Sequence, residues 1–298
     1  MANCSHGKDG FFKYYTADSA KATLGTTTRK WSTPSLFNDP FDNQFALLFE
    51  EPNEESARLN LDQYLKLLSS REPFRPDQFG PETESMEFIR QIHAANPDLK
   101  YSAEEIGELL EGTLEGMHNV AALASESNTE ISFILADTSI LCLSDTHDNL
   151  LMWSHYAHNH TGAVVKFLAL PEVDSPLLSA QPVRYSERMP RLRFSSLLDF
   201  NEARLSVLET ITLSKSDVWS YEKEWRIIGG LRDKTQTYEI LPYAREEVGA
   251  VYLGCKMSLD DRREIVAIAR DRYPDAAIFQ AEKHRSEFAL TFDEVSKR

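Results

Sequence analysis

The residues best suited to chemistry lie in Trp219–Arg226, WSYEKEWR. Alternate residues of a strand share a face. A strand beginning near Tyr221 therefore points Glu222, Glu224 and Arg226 one way, with Tyr221 and Ile227 on the other face. Three charged groups in a row beside Trp and Ile suit the wall of a polar cleft. A carboxylate there can accept a hydrogen bond from a sugar hydroxyl and stabilise positive charge at an anomeric carbon. A second carboxylate two residues earlier can orient a nucleophile or act as a base. The competing reading is a solvent-facing edge strand on which Arg226 pairs with one of the carboxylates.

A second constellation is Ser144–Gly162, SDTHDNLLMWSHYAHNHTG. A strand ending at Ser144 and a helix starting near Asn149 would put free N–H groups at a place where an anion can dock. Asp148 is the expected N-cap and competes for those donors. Trp153 and Tyr156, three apart, share a helix face and either stack on a ligand ring or pack in the core. His147, His155, His158 and His160 cluster here, but without an HExxH pattern and with His155 and His158 at i, i+3, so no metal site is expected. His155, inside the helix, is the favoured ligand contact. On the first strand Lys13 and Tyr15 share one face, Phe12 and Tyr14 the other. Asn38-Asp39-Pro40 is a turn that either punctuates the chain or fixes polar groups at the rim of a site.

These groups need a scaffold. Strand patterns occur at 11–15, 30–32, 139–144, 163–167, 182–185, 224–230, 250–253 and 277–280, with helices around 19–24, 149–162, 195–212 and 258–273. Residues 55–130 differ, with apolar residues at three- and four-residue steps, many acids, and a Ser102/Glu105 capping box. This block reads as a helical insertion or lid. Helices and strands mix without a βαβ rhythm, which predicts a single α+β domain over 1–298 with a mainly antiparallel sheet. P-loop, GxGxxG, GxSxG and Ser-His-Asp signatures are absent.

The 298 residues carry 32 Lys+Arg against 47 Asp+Glu, a net charge of −15. That balance repels phosphates over the surface as a whole while leaving room for a local basic groove. Cys4, Cys142 and Cys255 are far apart and lack CxxC spacing, so buried free thiols are expected rather than disulfides or a zinc site. The start, MANCSHGKDG, lacks the apolar segment of a signal peptide, and no run suits a membrane helix. A cytoplasmic protein with no membrane partner is the expectation.

Taken in order, FFKYYT, SLFNDPFD, LCLSDTHDNLLMWSHYAHNHTGAVVKF, WSYEKEWRII and AVYLG resemble an uncharacterised bacterial family, domain of unknown function 2971, from about residue 11 to about residue 290. A more distant resemblance is to ADP-ribosyltransferase folds, which set a first-strand polar residue, a mid-chain strand with Ser and a late-strand Glu-x-Glu around NAD. Lys13 or Tyr14, Ser144, and Glu222-Lys223-Glu224 occupy those places in order, with Lys13 or Tyr14 standing where the family has Arg or His. That resemblance implies a split sheet and NAD as substrate. It implies Glu224 on the ribose 2′-hydroxyl, Glu222 activating a protein, nucleic-acid or water acceptor, Ser144 orienting the ribose or Glu224, and Trp153 or Tyr156 on a ring. A toxin or anti-phage effector would be a natural setting. Two other readings stay open: a nucleic-acid-directed defence enzyme or binder with a basic cleft, and a non-catalytic interaction module that docks a partner on the acidic helices.

Overall fold

The computed structural model describes residues 6–44, 53–69, 72–74, 83–96, 98–190 and 208–296; the side chains of Thr83, Ser85 and residues 119–134 are not among those described. Two compact units divide the chain. One comprises residues 1–42, 135–187 and 213–298, the other residues 43–134 and 188–212.

The second unit is helical where described, as expected for 55–130. Helix α2 (Glu54–Leu68) opens with a reciprocal Asn53/Ser56 capping box. Helix α3 (Thr83–Ala95) carries Glu87, which holds Arg90 one turn on through paired hydrogen bonds. Helix α4 (Ala103–Ala136) starts at the expected Ser102/Glu105 box. The helix expected over 195–212 falls mostly outside the described residues; 208–212 are helical.

The first unit is built on a ten-stranded, mainly antiparallel sheet, so the fold class is α+β. Its strands are β1 (Gly10–Tyr15), β2 (Thr28–Ser32), β3 (Thr138–Ser144), β4 (Ala163–Leu168), β5 (Gln181–Pro182), β8 (Glu224–Gly230), β9 (Tyr238–Pro242), β10 (Val248–Leu253), β11 (Ala277–Lys283) and β12 (Leu290–Glu294). A separate parallel pair is formed by β6 (Arg184–Ser186) and β7 (Ser214–Ser216). The main order is β12-β11-β10-β4-β1-β3-β2-β9, with β8 on β3 and β5 on β8. Only β10 and β11 run parallel in it, joined by helix α6 (Leu259–Arg272) with the expected Ser258 cap. Helix α1 (Ala17–Thr26) joins β1 to β2. Strands β7, β9 and β12 carry weak patterns and were not expected; the expected strand at 182–185 is divided between β5 and β6.

Strand β3 is where the sheet branches. Its whole length pairs with β8, from Thr138↔Gly230 to Ser144↔Glu224. On its other edge it meets β1 only at Phe12↔Ser144 and β2 only at Ser32↔Ile140. Strands β1 and β2 thus diverge along β3. Between those registers lies Cys142, whose carbonyl oxygen accepts from Lys13 Nζ at 2.8 Å. Lys13 is therefore a half-buried residue of a central strand, not a solvated edge residue. The strand period sends Leu141, Leu143 and Ile227 into the main core with Phe11, Val165 and Val251. It sends Ile140, Cys142, Ser144 and Glu224 to the opposite face.

Helix α5 is shorter than expected, Leu150–His155, and its cap is Asn149 rather than Asp148. Asn149 Oδ1 takes the free amides of Leu151 (2.9 Å) and Met152 (3.1 Å), while Asp148 accepts instead from the Thr146 hydroxyl. The chain then leaves the helix through three left-handed residues, His158, Asn159 and His160, with φ of 47°, 57° and 69°. Gly162 makes the return possible: a Cβ there would stand 2.0 Å from the Tyr15 carbonyl oxygen. Gly162→Ala is therefore expected to lower stability by about 1–3 kcal/mol. Gly25→Ala, in α1 with open space around it, should raise stability by up to about 1 kcal/mol. Thermal unfolding of the two variants checks both signs.

Candidate active site

The branch of the sheet opens into a cavity of about 260 Å³. Strand β1 supplies Phe12, Lys13 and Tyr14 to it, β2 supplies Lys30 and Ser32, and β3 supplies Cys142 and Ser144. Asn38, Asp42, Tyr156, Lys215, Glu222 and Glu224 complete the polar lining.

One wall is a buried cluster of charges. Arg226 is held by Asp42 through Nη1 (2.9 Å) and Nη2 (2.6 Å), and by Glu224 through Nε (2.8 Å) and Nη2 (3.0 Å). Lys215 Nζ donates to Glu224 (3.0 Å) and Glu222 (2.5 Å) and lies 3.6 Å from Asp42. All five side chains are at most 6% exposed. Such charges are tolerated only as a set, because each desolvated group needs an opposite partner.

Each member arrives by a different local device. Glu224 and Arg226 are alternate residues of β8, as expected. Glu222 is not on that strand. Residues Asp217–Glu222 form a 3₁₀ turn, and Lys223 takes a left-handed conformation (φ 45°) before β8 begins. The bend still turns Glu222 toward Glu224. The Ser144 hydroxyl secures it by donating to the Glu222 carbonyl oxygen at 2.7 Å, and the Asp145 amide donates to the Lys223 carbonyl oxygen. Asp42 follows an Asx turn in which Asp39 Oδ1 accepts from the Phe41 amide at 2.9 Å. Lys215 comes from β7.

The surroundings divide the two glutamates electrostatically. Burial alone would raise Glu224, but Arg226 and then Lys215 override it and hold the carboxyl at about 2. Glu222 is raised, first by burial and then by the Glu224 charge, which outweigh Lys215 and the Tyr156 hydroxyl. Lys215 is raised because Glu224, Glu222 and Asp42 together exceed the burial effect. Lys13 is lowered by burial, and burial raises the Cys142 thiol beside Glu224.

Their bonding also differs. A carboxylate offers about four acceptor sites. Glu224 uses three on Arg226 and Lys215 and touches Cys142 as well. Glu222 uses two, one for Lys215 and one for the Tyr156 hydroxyl at 2.6 Å, which is itself bonded to Asn38 Nδ2 at 3.2 Å. Glu222 is the carboxylate with capacity left.

Of the residues expected here, the structure brings together Lys13, Tyr14, Asn38, Ser144, Tyr156, Glu222 and Glu224 at the cavity, with Arg226 in the charge cluster behind Glu224. Trp153 stays out. It is fully buried, stacks on the His160 ring (7° between planes) and donates Nε1 to the His147 carbonyl oxygen at 2.7 Å. Asp39 serves its own turn and does not line the cavity. His155 is exposed beside the rings of Trp219 and Tyr221, outside the cavity. Cys142 and Cys255 are free thiols, as expected, and each is half-buried, with Cys142 on the cavity face; Cys4 is outside the described residues. Asp42, Lys215, Lys30 and Cys142 were not expected. Among the described residues no group of three or more His, Cys, Asp or Glu side chains could hold a metal ion, and no helix is long and apolar enough to cross a membrane.

A family model described as "Protein of unknown function (DUF2971)" matches residues 152–227. The chain resembles this family, over a shorter stretch than its motifs suggested. The matched segment contains Tyr156, Lys215, Glu222, Glu224 and Arg226, and leaves out Lys13, Asp42 and Cys142. No curated protein and no solved structure matches the chain.

Removing one partner of a buried ion pair leaves an uncompensated charge. Arg226→Met is expected to lose about 3–5 kcal/mol in urea unfolding, and Arg226→Lys should recover little because lysine lacks the planar fork. Glu224 is depressed in the folded state. Its stabilisation is therefore full above its ordinary value of 4.5 and is lost as pH falls toward about 2. Glu224→Gln should flatten the stability curve across that acid window.

Proposed function

We propose that this cavity binds the nicotinamide-ribose end of NAD and cleaves its glycosidic bond, passing ADP-ribose to a macromolecule or to water. The observation that carries the reading is Glu222: a buried carboxylate on the cavity wall, fixed by Lys215 and Tyr156, with acceptor capacity unspent. A volume of about 260 Å³ suits a nucleoside-sized group better than a whole dinucleotide. The phosphates would lie toward Lys30, which is exposed at the cavity, and Lys13.

In this reading Glu222 accepts the ribose hydroxyl, and Glu224 is a fixed negative charge that Arg226 and Lys215 hold in place. As the C1′–N bond breaks, its electron pair leaves with the nicotinamide nitrogen and C1′ becomes oxocarbenium-like beside the carboxylates. The acceptor oxygen then bonds C1′ and its proton passes to a Glu222 oxygen. The Tyr14 or Tyr156 ring, rather than Trp153, contacts the base. An ADP-ribosyltransferase-like use of the split between β1 and β2 belongs to the same proposal.

The test is nicotinamide release from NAD, followed chromatographically. Tyr156→Phe should melt near wild type; Glu222→Gln, which leaves Lys215 paired with Glu224 and near Asp42, should melt lower but stay folded and lose about 10²-fold in kcat. Lys30→Ala should raise KM with kcat kept. Release by Glu222→Gln at the wild-type rate, or none by wild type, would sink the reading.

A further inference from the structure

A second cavity in the first unit, of about 510 Å³, is walled by the β11–β12 hairpin and the turn at 254–256. Its chemistry is unlike the rest of the molecule. Lys256, Lys283 and Arg285 all line it, against the single acid Glu287, in a chain whose net charge is −15. All three cations are exposed, and none takes part in an ion pair among the described residues. By contrast, Lys8, Lys21, Lys166, Lys215 and Lys234 each hold a carboxylate. Three unneutralised cations around one concavity are an electrostatic site for an anion.

The hairpin is built to present them. His284 closes it, donating its amide to the Ala289 carbonyl oxygen at 3.0 Å. Its Nδ1 accepts from the Glu287 amide at 3.1 Å, which assigns the ring proton to Nε2 and leaves that N–H as a further donor. The opposite wall is fixed as well: the Lys256 amide donates to the His160 carbonyl oxygen at 3.0 Å, and Gly254 passes so close that a Cβ would stand 2.2 Å from that oxygen. Phe288, which also lines the cavity, is fully exposed at the hairpin tip. A bare aromatic ring among unpaired cations suits alternating bases and phosphates.

We propose that this cavity binds single-stranded nucleic acid, with phosphates on Lys256, Lys283 and Arg285 and a base stacked on Phe288. A concave site of nucleotide size and a single apolar side chain at the tip favour this over insertion into an anionic membrane, which calls for a broader apolar face. The inference is independent of NAD cleavage at the other cavity.

Fluorescence anisotropy with a fluorescein-labelled ten-residue oligouridylate tests it. Binding should weaken with salt at a log–log slope of about −2, the value for three phosphate contacts on a single strand. Phe288→Ala should weaken binding about tenfold, and the triple variant Lys256→Ala/Lys283→Ala/Arg285→Ala should abolish it; all these side chains are exposed, and unchanged melting confirms intact folds. Equal binding by wild type and the triple variant would overturn the proposal, as would loss of binding in Lys30→Ala alone, which would move the contact to the other cavity. Sedimentation with phosphatidylserine vesicles without oligouridylate binding would overturn it in favour of a membrane surface.

Discussion

The first unit depends on one constraint: five desolvated charges must meet. Asp42, Glu222 and Glu224 against Lys215 and Arg226 draw on a turn after β2, a 3₁₀ turn, and strands β7 and β8. Apolar packing is forgiving about partners, but a buried charge is not, since losing its counterpart is more destabilising than never having been buried. The cluster therefore acts as a register device for segments that are far apart in the chain. Residues 42 and 226 can make a two-point fork only if β3 and β8 are aligned as they are, with Cys142 opposite Arg226 and Ser144 opposite Glu224.

The same alignment creates the cavity. A sheet strand is normally covered on both edges by neighbours. Here β1 and β2 each touch β3 at a single register and leave the span around Cys142 to Lys13. A side-chain ammonium in place of a strand leaves open space beside it. The charge cluster floors that space, and the cores on Phe11 and on Tyr14 hold its walls. A second buried pair, Arg29 and Glu247 at 2.7 Å with Arg29 over the Phe167 and Tyr243 rings, ties β2 to the turn before β10 in the same manner.

Much of this was legible in the residues. Strand alternation at 139–144 and 224–230 located β3 and β8, and the alternation of Glu224 with Arg226 marked a shared face. The capping signals at Ser102 and Ser258 placed two helix starts. What escaped had local causes. Lys215 sits on a three-residue strand with no periodicity to reveal it, and Asp42 looks like one more polar turn residue. Both are defined by distant partners, which a local pattern does not encode. Glu222 was placed at the site for the wrong reason: it was read as strand, and a left-handed Lys223 restores the convergence that alternation would have given. For Trp153 and Tyr156 a three-residue step gives a shared helix face without saying how deep each ring lies, which leaves ring stacking and core packing both open; Tyr156 reaches the cavity and Trp153 the core.

The arrangement also separates two roles that a Glu-x-Glu pattern leaves entangled. With every member ionised the cluster carries three negative and two positive charges, an excess of one negative charge. Glu224, depressed by Arg226 and Lys215, does not relieve that excess by taking up a proton near neutrality, whereas Glu222 is the member whose proton affinity is raised. Glu222 is therefore the member through which the cluster takes up a proton, and while it is ionised the excess negative charge faces the cavity at the place with acceptor sites to spare. A cationic group brought into the cavity would be stabilised by it, and so would positive charge that moves from a leaving ring onto a sugar carbon. On the proposed reading, Glu224 contributes by remaining charged and still, and the chemistry passes through Glu222, Tyr156 and whatever hydroxyl they meet.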